Sequence, residues 1–398
     1  MTGRPAWRWC EPRGDEQRPG DVVVAAEVHG PSGARPFPAA PLLAGALARA
    51  GLRIHEVPAA PTELAVVRGA ITPLTTASSV DDVLEQWDAA AGPRTVLLPE
   101  PRSFCAGVDR AIEVVERALA HFGPPVYVRR QIIHNRHVVA DLESQGAVFV
   151  DEVDQAPEGA RLVFSAHGVS PAVEEAAAER RQDVIDATCP LVTKVHREVR
   201  RFAERGYNVV LVGHGGHDEV EGTMGEAPGI RLVSSPAEAA AVEVDDPDRV
   251  AYVTQTTLAL DDVAEVVDVL RDRFPALVGP AADDICYATQ NRQDAVRAIA
   301  GECDLLLVVG SQNSSNSQRL VEVAERAGCP AHLVDDEREI DLAWLHGATT
   351  VGVTAGASAP SWIVDRVVAA LGELGPVEVH TRTVTTETVR FSLPEAVR

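Results

Sequence analysis

Short runs of Val, Ile and Leu alternate with amphipathic Ala/Glu/Arg segments along most of this 398-residue chain, and that alternation restricts its fold more than any other feature. Strand-length apolar runs separated by helix-length segments of 3.6-residue periodicity predict parallel sheets covered by helices, an α/β protein. The predicted strands are TVLLP (95–99), PVYV (125–128), RLVFSA (161–166), NVVLVG (208–213), VAYVTQ (250–255), LLLVVG (305–310) and TVGVTA (349–354). The predicted helices include VDRAIEVVERALAHF, VHREVRRFAERG, LDDVAEVVDVLRDRF, NRQDAVRAIAGEC and NSQRLVEVAERAG. Several have Gly just past their last turn, as a helix end prefers.

Open parallel sheets bind ligands at the carboxyl ends of their strands. The motifs there read SAHGVS (165–170), GHGGHDEVEGTMG (213–225), TQTT (254–257), GSQNSSNS (310–317) and TAGASAP (354–360), with QIIHN (131–135) after PVYV. They offer His134, His167, His214, His217, Glu219, Thr256, Thr257, Ser314, Ser315, Asn316 and Ser358, a set rich in neutral donors and poor in Lys and Arg. Hydroxyls, an amide, imidazoles and helix-start N–H groups can surround a phosphate. The Ser-Ser-Asn-Ser run is the best phosphate candidate, although Ser and Asn are also ordinary helix caps. Neither a GxxxxGK[ST] loop nor a GxGxxG fingerprint is present, which removes support for an ATPase or a dinucleotide-binding dehydrogenase. HGGHDEVEG is the best acid/base candidate, because an imidazole and a carboxylate two residues apart can hold a hydroxyl and protonate it. A zinc site from His214, His217 and Glu219 is the rival reading, and Glu221 also suits a simple helix-start charge.

Cys105, Cys189 and Cys286 lie in polar strings at spacings of 84 and 97 residues. The near-equal spacing suggests three similar modules, each giving one thiolate to a shared centre. No CxxC is present, so such a centre is assembled by tertiary structure rather than by one short loop. Three thiolates on a four-iron cluster would leave one iron open to a substrate oxygen. The competing reading is that buried cysteines act as small hydrophobes. Cys10, Cys303 and Cys329 read that way or as incidental.

The balance of 36 basic and 59 acidic residues gives −23, and no Lys/Arg cluster is interleaved with aromatics, which argues against nucleic acid as a partner. The 45% hydrophobic content supports a sizeable core, and the length suits two to four domains. No stretch approaches 18 uninterrupted apolar residues and the first residues lack a signal-peptide core, so a cytoplasmic protein with no membrane association is expected.

The strings FCAGVDRAI, IIHN, FSAHGVS, DATCPLVTKVH, GHGGHDEVEGTMG, TQTTL, DDICYATQNRQ, VVGSQNSSNS and GVTAGASAP together resemble the 4-hydroxy-3-methylbut-2-enyl diphosphate reductase family, over roughly residues 94 to 395. The resemblance implies three α/β modules with pseudo-threefold symmetry around one 4Fe-4S cluster per chain. It implies Cys105, Cys189 and Cys286 as ligands, Glu219 as proton donor, and Thr256 and His217 as groups orienting the substrate hydroxyl. His134, His167, Ser314, Ser315, Asn316 and Ser358 are implied to hold the diphosphate, whereas His214 is not implied as a contact. The activity implied is a two-electron, two-proton reductive dehydroxylation giving isopentenyl and dimethylallyl diphosphates in the methylerythritol phosphate route to isoprenoids. The electrons are expected from reduced ferredoxin or flavodoxin, since no flavin or nicotinamide motif is visible.

The expected domains are an N-terminal extension (1–92), a first strand and cluster loop (93–106) packing with the third module, modules at 107–189, 190–282 and 283–371, and a C-terminal tail (372–398). Residues 1–20 are expected to be disordered and 21–92 to form a small α/β appendage, in which His29 reads as structural. Ser103 stands where the family pattern has glycine, the residue type that suits a positive φ. Two other classes stay open: an iron-sulfur sensor on the same fold, and a zinc hydrolase built on the HGGHDE loop. Lys194, Arg197, Arg200, Arg201 and Arg205 share one helix, which reads as a solvated basic face or a docking patch for an acidic electron carrier.

Overall fold

The computed structural model describes residues 7–10, 22–30, 33–58, 66–69, 74–280 and 284–398. Asp283 and most of residues 1–20 lie outside the described residues, as do the side chains of Cys10 and His29.

All seven predicted strands form, in three parallel sheets. Val126–Arg129 and Arg161–Phe164 pair at the centre of a four-stranded sheet, with Ala147–Val150 and Asp183–Asp186 at its edges. Asn208–Val212 lies between Arg231–Val233 and Val250–Thr254 in a three-stranded sheet. Leu305–Val309 and Thr350–Ala355 sit in a five-stranded sheet whose edges are Ala331–Val334 and Val377–Thr383. Arg94–Glu100, the first strand after the N-terminal region, joins this last sheet between Thr350–Ala355 and Val377–Thr383, far from its sequence neighbours. Leu305–Val309 is buried at all five positions because helices cover both faces of its sheet.

The covering helices follow from their apolar spacing. Ala106–Phe122 buries Val108, Ala111, Val114, Val115, Ala118 and Leu119 on one stripe and stops at Gly123, whose φ of 75° few other residues adopt. Pro190–Glu204 and Tyr287–Ala300 bury their stripes in the same way.

Among its described residues, the region before residue 92 forms a four-stranded sheet, a two-stranded hairpin and two helices, Ala40–Arg49 and Leu74–Ala90. Its core is continuous with that of the five-stranded sheet: Val22, Leu43, Leu47, Leu84 and Trp87 belong to one buried cluster with Val351, Val353, Ile363 and Val367. Gly45 lies against the backbone of Arg338 so closely that a Cβ would collide with its carbonyl. Arg49 donates to the carbonyls of Arg338 and Ile340, both at 2.6 Å.

Ser103 has a φ of 63°, the left-handed conformation that favours glycine. Its carbonyl is held by the fully buried Arg292, which donates from Nε at 3.0 Å and Nη2 at 2.6 Å, while Nη1 pairs with Glu387 at 2.9 Å. The Ser103 hydroxyl is buried with no hydrogen-bond partner among the described residues. Ser103→Gly is therefore expected to stabilise the fold by about 1 kcal/mol, read as a higher urea midpoint at unchanged slope.

Candidate active site

Each of the three cysteines occupies the N-cap of a helix: Cys105 before Ala106–Phe122, Cys189 before Pro190–Glu204 and Cys286 before Tyr287–Ala300. Each is also fastened by its backbone N–H to one of the motifs at the strand ends. Cys105 donates to Ala357 O at 3.3 Å, Cys189 to Ala166 O at 3.0 Å and Cys286 to Thr256 O at 3.0 Å. Helix N-termini carry positive partial charge, so this placement favours sulfur in its anionic form.

The three side chains line one cavity of about 100 Å³, together with His134, His167, His217, Glu219, Thr256, Ser314, Ser315, Asn316 and Ser358. Residues spread over more than 250 positions of sequence thus meet in one place. Gly107 marks how close the sulfurs come: a Cβ there would lie 2.8 Å from Cys189 Sγ and 3.8 Å from Cys105 Sγ. Burial pushes the Cys189 thiol up to about 12, with the charge of Cys105 adding, and the Cys286 thiol up to about 11 for the same two reasons. Three thiolates cannot share such a space unless a cationic centre compensates them, so the donor set fits an iron-sulfur group. Thr289, which the sequence reading missed, steadies Cys286: its N–H donates to Sγ at 3.3 Å and its hydroxyl lies 3.1 Å away.

Glu219 is buried at the start of the short helix Asp218–Met224. The Thr256 N–H donates to its Oε1 at 2.7 Å and the Thr256 hydroxyl to its Oε2 at 2.9 Å. Burial holds this carboxyl above the usual carboxylate range despite those two bonds. The Glu219 N–H donates to His217 Nδ1 at 3.1 Å, so a neutral His217 carries its proton on Nε2. Burial, with the nearby His134 adding, lowers His217 to about 4.

His134, His167 and His217 form a compact group, with ring centroids 4.1 Å apart for His134 and His167 and 5.1 Å for His134 and His217. Burial also lowers His134 and His167, which keeps these rings neutral at ordinary pH. His134 Nε2 is buried and has no hydrogen-bond partner among the described residues. Across the cavity, Ser314 caps the helix Ser315–Arg326 and lies 3.2 Å from the Ser358 hydroxyl, which donates to His134 O at 3.1 Å. The Thr257 hydroxyl donates to Ser315 Oγ at 3.0 Å, and Asn316 Oδ1 accepts from Ala357 N at 2.8 Å.

The rival zinc reading loses its geometry here. His214 turns away from His217 and Glu219, its Nε2 lying 2.6 Å from Arg319 Nη2, so the HGGHDE loop does not gather a zinc site. Among the described residues, the group compact enough for a single ion is instead His134, His167 and Asp218. Three side chains of the basic helix are paired within the chain: Lys194 reaches Asp284 at 3.1 Å, Arg200 reaches Glu226 at 3.0 Å and Arg201 reaches Glu198 at 3.9 Å. Asp284, itself pushed up to about 6 by burial against the pull of Lys194, also accepts from Thr254 N beside Cys286. Cys303 and Cys329 lie apart from the cavity and pack in the core of the five-stranded sheet.

The model of the family described as LytB protein matches residues 96–372, beginning just after the N-terminal region. A protein of Mycolicibacterium paratuberculosis, named 4-hydroxy-3-methylbut-2-enyl diphosphate reductase, is 59% identical over 307 residues, covering 77% of this chain and 92% of its own length. A protein of the same name from Bordetella pertussis is 57% identical over 311 residues, 78% of this chain and 96% of that one. The solved structure of E-1-hydroxy-2-methyl-but-2-enyl-4-diphosphate reductase from Plasmodium falciparum superposes with a TM-score of 0.73 at 36% identity, covering 77% of this chain and 97% of that chain. With its parallel sheets, its three cysteines in one cavity and a match over more than half its length, this chain belongs to the LytB family.

Proposed function

We propose that this chain is a 4-hydroxy-3-methylbut-2-enyl diphosphate reductase, which takes the allylic alcohol, two electrons and two protons to isopentenyl or dimethylallyl diphosphate and water. The observation that carries the reading is a protonatable, buried Glu219 in the same cavity as three helix-capping cysteines. Cys105, Cys189 and Cys286 would hold a 4Fe-4S cluster, which supplies the electrons and a Lewis-acidic iron for the substrate oxygen.

The chain's own residues supply binding and protons. The Thr256 hydroxyl, donating to Glu219, keeps its lone pairs for the substrate hydroxyl, and His217 offers its Nε2–H. Protonated Glu219 delivers the proton with which the hydroxyl leaves as water. His134, His167, Ser314, Ser315, Asn316 and Ser358 take the diphosphate through neutral donors, helped by the N-terminus of Ser315–Arg326. Reduced ferredoxin or flavodoxin is the proposed electron source and the cytoplasm the proposed compartment. Among the described residues, no helix is long and apolar enough to cross a membrane.

The pH dependence has a definite sign. A donor must be protonated, and burial raises the Glu219 pKa, so kcat holds at low pH and falls as pH rises through that raised value. His217 does not cancel this from the acid side until about pH 4. A kcat profile with a chemical reductant that rose with pH instead would remove Glu219 from the acid role.

A further inference from the structure

Among the described residues, the inner cavity is lined by no Lys or Arg, yet a neighbouring cavity carries Arg130. That second cavity, of about 490 Å³, shares His134 and His217 with the inner one and is bounded also by Asp218, Glu152 and Asn313. Arg130 comes from the end of Val126–Arg129 with a φ of 55°, a conformation uncommon for a residue with a side chain. Its Nη1 pairs with Asp218 Oδ1 and, at 2.7 Å, with Glu221 Oε2, while Nη2 lies 3.5 Å from Glu152 Oε1. Asp218 and Glu221 stand on either side of Glu219 in sequence, and Asp218 Oδ2 is 3.8 Å from His167 Nδ1. An anion approaching His134 and His167 therefore meets at least one carboxylate at close range, and among the described residues Arg130 is the Arg or Lys paired with it.

We infer that Arg130 is a positioning residue that compensates Asp218 and Glu221, so that a diphosphate can settle against His134 and His167. It acts on the substrate through those carboxylates rather than by touching the reacting atoms. Asp218 is only about one-sixth exposed, so water does little to screen it when its partner is removed. The inference rests on the diphosphate reading above.

The test measures KM and kcat for the hydroxylated diphosphate in the cluster-loaded protein, with calorimetric binding of inorganic diphosphate alongside. Arg130→Met is expected to raise KM about 10- to 100-fold with kcat within about 3-fold, and to weaken inorganic diphosphate to match. Adding Asp218→Asn to that variant should recover most of the loss, and Arg130→Lys should stay near the parent. An unchanged KM in Arg130→Met would overturn the inference, and so would failure of Asp218→Asn to recover it, which would mean direct contact with substrate or a purely structural part. If Arg130→Met does not fold, Asp218→Asn alone decides: an equal or lower KM supports compensation, and a tenfold rise contradicts it. A parent protein that neither turns over the substrate nor binds inorganic diphosphate would sink the underlying function as well.

Discussion

Glu219→Gln is expected to keep its iron and sulfide while losing turnover by about 10²- to 10⁴-fold, the range a positioned acid contributes. Gln fills the same space and can keep both contacts to Thr256, accepting from its N–H and donating to its hydroxyl oxygen, so the loop at 217–219 has no reason to move. What disappears is the transferable proton. Because the carboxyl is buried, bulk water cannot easily stand in for it. The falling alkaline limb of the kcat profile should vanish from whatever activity remains. Turnover near the parental rate with a full cluster would show that the proton comes from elsewhere.

Gly107→Ala should have the opposite signature, losing the cluster while every ligand and the acid remain. The added Cβ would sit 2.8 Å from Cys189 Sγ, closer than real Cβ contacts allow, so that sulfur can make room only by rotating out of its place in the cavity. Cys105 and Cys189 are each capped onto a helix and bonded through their N–H to another loop. Iron and sulfide per chain should fall several-fold, together with the visible absorbance, in a protein that is otherwise folded by circular dichroism. A helical glycine normally gains stability on becoming alanine, so a stable, cluster-free product would separate this effect from general damage. Full iron loading in Gly107→Ala would mean that the sulfurs do not define the centre as the geometry has it.

The interior of the fold was readable because interior strands are apolar on both faces; LLLVV at 305–309 admits few other structures. The edge strand Val250–Thr254, buried at four of its five positions, was readable as well, but other edge strands were missed for the converse reason. Asp183–Asp186 buries one residue in four and Val377–Thr383 none, so neither stands out from a loop. The motifs at the strand ends were legible as strings and as chemistry, and they do share a cavity. Pairings between them were not legible. Arg292 with Glu387, Lys194 with Asp284, and Arg130 with Asp218 join positions 95, 90 and 88 apart, a separation at which no periodicity carries information. His214 and His217 show the same blindness at short range, since three residues of glycine-rich loop suffice to send two imidazoles to different cavities. The N-terminal region looked like an appendage, and only the three-dimensional core reveals that Leu84 and Trp87 are buried in one cluster with Ile363.

The most direct test is anaerobic purification followed by iron, sulfide and turnover assays on the same sample, with the hydroxylated diphosphate and a chemical reductant. The account predicts about four irons and four sulfides per chain, with conversion to the two isomeric diphosphates. A loaded cluster without turnover, or zinc in place of iron, would contradict it.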